Sequence, residues 1–292
     1  LELYPPPVYV RRQIVHNQHV VDELAARGAV FVQELSEVPM GATVIFAAHG
    51  VSPKVRAEAV ERNLKTIDAT CPMVSKVHHE AKLYAERGLQ ILLIGQKGHD
   101  EVVGTTGEAP EHIRLIESPE DVDALEVADP TKLVWLTQTT LSVDDTSHTV
   151  AALRAKFAEL IDPPTDDICY ATQNRQSAIK LIAPHCDVVI VVGSKNSSNS
   201  TRLADVALEA GAKAAHRVED ASEIDPAWLV GAESVGVSSG ASAPDVLMQA
   251  VLAYLQNAGF GPVVEEVFTE EDMYFPLPAE LLHDLAAAEA GR

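Results

Sequence analysis

This chain of 292 residues is 47% apolar and 22% charged, an ordinary globular mixture with enough material to bury a core in two or three modest lobes. Its net charge of −21 argues against nucleic acid or an anionic membrane as partner, because both reward a basic surface. No apolar run approaches the ~20 residues of a membrane helix, no signal peptide precedes Leu1, and three cysteines fit a reducing compartment, so a soluble cytoplasmic protein is expected.

The pattern begins with a strand, VYVRRQIV, a polar turn at His16-Asn17, and a helix closed by Gly28. The same grammar follows in ATVIFAAHGVSPKVRAEAVERN, where His49-Gly50 ends the strand and Ser52-Pro53 supplies an N-cap and a first-turn proline. After Asp68-Ala-Thr-Cys71 a helix is predicted from Pro72, so Cys71 stands at a helix N-terminus, where the macrodipole favours a thiolate. The strand LQILLIG breaks into a glycine-rich turn carrying His99, Asp100 and Glu101. The strand KLVWLTQTT ends on Gln138, Thr139 and Thr140, with a helix beginning near Ser142.

A second D-x-x-C unit, Asp166-Asp-Ile-Cys169, leads through a helix to the strand DVVIVVG and the turn Ser194 to Asn199. A last strand, ESVGVSS, breaks at Gly240-Ala-Ser242-Ala-Pro244 before a helix, and an acidic tail from Gly259 ends in an alanine-rich helix. The two D-x-x-C units are an internal repeat: Asp166 lies 98 residues after Asp68, and both His99 and Ser197 lie 28 residues after their cysteines. Counting 28 back from His16 gives position −12, so a third cysteine is expected upstream of Leu1, with the first strand and most of the first helix of that repeat.

Continuous apolar strands, each followed by a helix, predict an α/β fold: three similar lobes with mostly parallel sheets, arranged pseudo-threefold around a central cavity. The lobes would span 1–67, 68–165 and 166–258, with the tail 259–292 packing back over them. In such sheets functional residues gather at the carboxyl ends of strands. His16, His49, His99, Glu101, Gln138, Thr139, Ser197, Asn199 and Ser242 all stand there.

Equivalent placement in a repeat makes Cys71 and Cys169 candidates for a thiolate site holding an iron–sulfur cluster or zinc. Cys186, without a counterpart in the other unit, is read as structural. Ser197, Ser198 and Asn199 either cap a helix or present backbone N–H groups to a phosphate or diphosphate. Glu101 is either a surface carboxylate or a proton donor with a burial-raised pKa. His78, His79 and Glu80 lack H-E-x-x-H spacing and are read as a solvated helix face.

At these residues the chain resembles the 4-hydroxy-3-methylbut-2-enyl diphosphate reductase (LytB/IspH) family, the terminal iron–sulfur enzymes of the methylerythritol phosphate route to isoprenoids. The likeness rests on VHN at 15–17, AHG at 48–50, DATCP at 68–72, GHDEV at 98–102, TQTTLSVDDT at 137–146, DDICYATQNRQ at 166–176, GSKNSSNS at 193–200 and SGASAPD at 239–245. It implies that Cys71 and Cys169 ligate a 4Fe-4S cluster. His16, His49, Ser197, Ser198, Asn199 and Ser242 would hold the substrate diphosphate, with His99 nearby. Glu101 would deliver protons helped by Thr139, and Gln138 would line the pocket.

The implied reaction is reductive dehydroxylation to isopentenyl or dimethylallyl diphosphate, with ferredoxin or flavodoxin as electron donor. Those donors are usually acidic, so docking one on a chain of charge −21 requires a local basic patch. Two departures stand out: the family's first cysteine motif is missing, and Asp100 occupies a position where many members carry proline, with little effect expected. The alternative on the residues alone is a zinc-dependent hydrolase of a phosphorylated small molecule. A diphosphate-binding protein without catalysis would leave the repeated D-x-x-C unexplained.

Overall fold

Buried apolar runs decide where the sheets form in the computed structural model, which describes Leu1 and residues 3–290. The first lobe contains β1 (Val8–Arg11), α1 (Gln18–Ala26), β2 (Ala29–Val32), β3 (Thr43–Phe46), α2 (Pro53–Glu61) and β4 (Lys65–Asp68), in strand order β2-β1-β3-β4. The second contains α3 (Pro72–Glu86), β5 (Gln90–Ile94), α4 (Asp100–Glu108), β6 (Ile113–Ile116), α5 (Pro119–Ala124), β7 (Leu133–Thr137) and α6 (Val143–Lys156), ordered β6-β5-β7. The third contains α7 (Tyr170–Ile182), β8 (Val188–Val192), α8 (Ser198–Glu209), β9 (Ala214–Val218), β10 (Val235–Ser239) and α9 (Asp245–Asn257), ordered β10-β8-β9. Every strand pairing is parallel.

Each central strand is apolar on both faces because helices cover both. Along β5, Ile91 and Leu93 pack with Val77, Ala81 and Val102 of α3 and α4, while Leu92 and Ile94 pack with Val150 and Leu153 of α6. The alternation repeats in β8, where Val189 and Val191 meet Ile179 and Leu203, and Ile190 and Val192 meet Val251 and Leu255. Each such side chain fully removed from water contributes roughly 1.5–3 kcal/mol, which makes these strands the rigid supports of the loops at their ends.

Those loops join the lobes to one another. The Gln18 N–H donates to Ser194 Oγ at 2.9 Å and the Ser242 hydroxyl to the His16 carbonyl at 3.2 Å, tying the first lobe to the third. The Cys169 N–H donates to the Thr139 carbonyl at 2.8 Å, tying the third to the second. An ion pair between Arg12 and Asp100 ties the first to the second.

The glycine-rich segment after β5 turns through residues 95–99 and is helical, α4, from Asp100. Its glycines are spacing devices: a Cβ at Gly107 would come within 2.4 Å of the Ser52 side chain. The tail crosses α7, where Asn174 Nδ2 donates to Glu271 at 2.9 Å and Phe275 lies 6.2 Å from the Tyr170 ring. It ends in α10 (Ala279–Ala290), whose Asp284 meets Lys65 of β4 at 2.7 Å.

Candidate functional site

Three imidazoles meet where the first two lobes face each other. The His16 and His49 rings stack at 3.8 Å, and His99 stands edge-on to them at 5.2 and 5.7 Å. Burial pushes all three pKa values down, and their mutual repulsion adds to the effect at His49 and His99, leaving His99 at about 4. The rings are therefore neutral near pH 7. His16 Nε2 and His49 Nδ1 are enclosed without a protein partner. His99 caps α4, its Nδ1 accepting the Glu101 N–H at 3.2 Å, which puts the ring proton on Nε2.

Glu101 follows in the first turn of α4, 1% exposed. Its Oε1 accepts the Thr139 N–H at 2.6 Å and its Oε2 the Thr139 hydroxyl at 3.1 Å. Burial raises its pKa to about 7, with Asp167 adding to the effect, even though both Thr139 bonds favour the ionised form. Gln138, also buried, is locked between the second and third lobes. Its Oε1 accepts the Gln96 N–H at 3.0 Å, and its Nε2 reaches Thr140 Oγ1 at 2.8 Å and Ser198 Oγ at 3.5 Å.

The Ser/Asn turn divides its labour. Ser197 caps α8, its Oγ accepting the Ser200 N–H at 3.2 Å, as the capping reading expects. Asn199, buried in the first turn, leaves both amide heteroatoms without partners. Ser242 acts on the loop, its hydroxyl bound to the His16 carbonyl. Asn196, which sequence reasoning did not single out, brings its Nδ2 within 3.5 Å of His16 Nδ1. Its place in a run of serines and asparagines was the available signal.

Cys71 and Cys169 cap α3 and α7 in the same backbone conformation, φ/ψ −57/135° and −58/134°. Both are free and half-buried, and Cys169 lies close enough to Cys71 to raise the cost of ionising the Cys71 thiol. Burial pushes the Cys71 thiol up, with Cys169 and Glu101 adding to it, and outweighs the N–H groups of Met73 and Val74. The helix end therefore does not by itself yield a thiolate. Two neighbouring soft donors, with the Cys71 thiol costly to ionise in the absence of a cation, suit a soft cationic centre, so the donor set fits an iron–sulfur group. Cys186 is elsewhere, packed against the core of the third lobe.

The chain matches the family model described as "LytB protein" over residues 1–256. It belongs to the LytB family. A relative from Acidothermus cellulolyticus, named 4-hydroxy-3-methylbut-2-enyl diphosphate reductase, is 60% identical over 98% of this chain and 84% of its own length. Another of that name, from Cutibacterium acnes, is 59% identical over 96% of this chain and 87% of its own. The solved structure of the E-1-hydroxy-2-methyl-but-2-enyl-4-diphosphate reductase from Plasmodium falciparum superposes with a TM-score of 0.95 at 37% identity, covering 99% of this chain and 91% of that one.

Two sequence readings of this LytB chain need correction or refinement. His79 is exposed, but His78 and Glu80, read as part of a solvated face, are 6% and 7% exposed. They point into the interface between α3 and its neighbours, which helical periodicity alone did not reveal. Asp100 stands at the first position of α4, where both proline and an acid are favoured, and Arg12 neutralises it. Metal-binding atoms of His16, His49 and Asp100 lie within 4.8 Å of one another. Arg12 already holds that carboxylate, so the trio does not favour the zinc alternative.

Proposed function

We propose that this chain converts (E)-4-hydroxy-3-methylbut-2-enyl diphosphate to isopentenyl and dimethylallyl diphosphate by reductive dehydroxylation, the last step of the methylerythritol phosphate route, in the cytoplasm. The observation that carries this reading is the meeting of a buried acid titrating near 7 with a stack of neutral imidazoles beside two helix-capping cysteines, in a LytB chain. The working unit is the set of three lobes, 1–67, 68–165 and 166–258, with the tail 259–292 across them.

Cys71 and Cys169 would supply thiolates to a 4Fe-4S cluster, which when bound supplies two electrons one at a time and a Lewis-acidic iron. The remaining work falls to the protein's own side chains. His16, His49, Ser197, Ser198, Asn199 and Ser242 bind the diphosphate, with unpaired nitrogen donors and the N-terminus of α8 facing it. That remote binding energy positions the allylic end. Glu101, partly protonated at neutral pH, gives its proton to the departing hydroxyl, which leaves as water. Thr139 holds the acid in place through both oxygens, His99 offers Nε2–H nearby, and Gln138 closes the wall. Two electrons and two protons convert the alcohol to an alkene and water. A ferredoxin or flavodoxin delivers the electrons.

The test is anaerobic turnover of the allylic diphosphate with a one-electron reductant, alongside visible absorption and iron and sulfide content. An iron–sulfur chromophore and reductant-dependent formation of both products are expected. A colourless, zinc-loaded protein that leaves the alcohol intact would overturn the reading.

A further inference from the structure

His78 is a buried imidazole to which the proposed reaction gives no task. It lies on α3, the helix that Cys71 caps, and its Nδ1 sits 2.9 Å from Glu108 Oε1 at the end of α4. Lys82 Nζ stands 3.0 Å from the other carboxylate oxygen. Burial pushes the Glu108 carboxyl up, but His78 and Lys82 outweigh it and hold it below the usual carboxylate range. Glu108 is therefore ionised and takes its hydrogen bond from the ring's Nδ1–H, which fixes the plane of the imidazole.

The ring's far edge is wedged between two glycines. A Cβ at Gly50 would lie 3.0 and 3.1 Å from Cε1 and Nε2, and one at Gly104 would lie 3.1 and 3.2 Å from the same atoms. Gly50 follows His49 in its turn, and Gly104 is one helical turn from Glu101 on α4. Thus the turn carrying His49, the helix carrying Glu101 and the helix capped by Cys71 all touch one side chain. Nε2 is enclosed without a partner. An apolar side chain would fill the space without that desolvation cost, so what the imidazole adds is an orientation that Glu108 enforces.

We propose that His78, oriented by Glu108, is a positioning residue that sets the distance between the His49 turn and α4, and so the place of the diphosphate relative to the acid. The use made of that distance rests on the proposed reaction; the distance itself does not.

A double-mutant cycle tests this. His78→Asn keeps a donor near the Nδ1 position but removes the wedge edge. Gly104→Ala adds a methyl group that crowds the ring when it is present and fills the gap when it is not. Each single variant is expected to lower kcat/KM roughly tenfold, since small misplacements cost that much or more, with KM and kcat both affected. The double variant should return to within about twofold of wild type, a coupling expected of residues in contact.

Two readouts do not need turnover: the Kd for inorganic diphosphate, and the ring nitrogen NMR shifts of His49. Both should move in each single variant and recover in the double. Losses that simply add, or a His49 spectrum unmoved by His78→Asn, would overturn the proposal. If wild type fails to reduce the substrate, the reaction fails while these two readouts still decide the role of His78. Should His78→Asn not fold, Glu108→Gln, which keeps shape and loses charge, must shift the His49 resonances in the same sense.

Discussion

His99–Glu101 and Ser197–Asn199 occupy equivalent places, N-cap and second helical residue, at the starts of α4 and α8, 28 residues after their cysteines. Their backbones do the same thing and their chemistry diverges. Glu101 is buried with both oxygens held by Thr139, so its environment tunes a proton. Asn199 is also buried, cannot titrate, and keeps both amide atoms unpaired. In the proposed reaction, one scaffold position serves as the acid in one lobe and as an anion ligand in the other.

The strongest way to break this contrast is Glu101→Gln. It is expected to lower kcat by about 10²–10⁴, the range for a general acid, and to move KM by less than about threefold, measured in single-turnover and steady-state assays. A large KM effect with kcat preserved would erase the distinction. Asn199→Ala should do the reverse, weakening inorganic diphosphate roughly tenfold, as expected for a lost hydrogen bond to a charged group, with kcat changed far less. Asn199→Asp sharpens the point: a carboxylate facing the anion should bind more weakly than alanine, and calorimetry ranks the two.

A third expectation concerns stability. Glu101's folded pKa of about 7 lies above its ordinary 4.5, so the native state holds an extra proton between those values. Its contribution is full below about 4.5 and is lost as pH rises through about 7, amounting to no more than about 3 kcal/mol. Glu80, also raised to about 7 by burial and Asp167, contributes in the same sense. Glu101→Gln should therefore flatten only its own share of the fall in Tm between pH 5 and 8, about 3 kcal/mol or less. An unchanged slope would place the acid's true pKa near the solvent value.

The smallest expected effect is Asp100→Pro. The substitution suits the first position of α4 and costs one partly exposed ion pair, worth about 1 kcal/mol or less. Activity within twofold and a Tm shift of a few degrees are expected. A large loss would show that Arg12 needs Asp100 to shape the His49 side of the site.

The sheets' interiors were legible in the sequence, and of their edges only β7 and β10 were. VYVRRQIV, ATVIFAA, LQILLIG and DVVIVVG became β1, β3, β5 and β8, the central strands, because burial on both faces writes a continuous apolar run. The strands that went unread, β2, β4, β6 and β9, are all at sheet edges, only four or five residues long and partly exposed. The candidate residues were legible because they share a place after strands. Their partners were not: Arg12 with Asp100 and His78 with Glu108 join segments 88 and 30 residues apart, and no local pattern announces such a pair. Nor could spacing tell that Ser197 would spend its oxygen on a cap while Asn199 kept both amide atoms unspent.

The enclosed, uncharged imidazole stack has a kinetic consequence. A diphosphate approaching a chain of net charge −21 climbs a repulsive long-range field before it meets the donors proposed to hold it. Added salt screens that outer field over a Debye length of ~10 Å at 0.1 M, while the buried contacts are screened far less. Substrate capture should therefore speed up as ionic strength rises, the opposite of an enzyme that lures its anion with a basic rim.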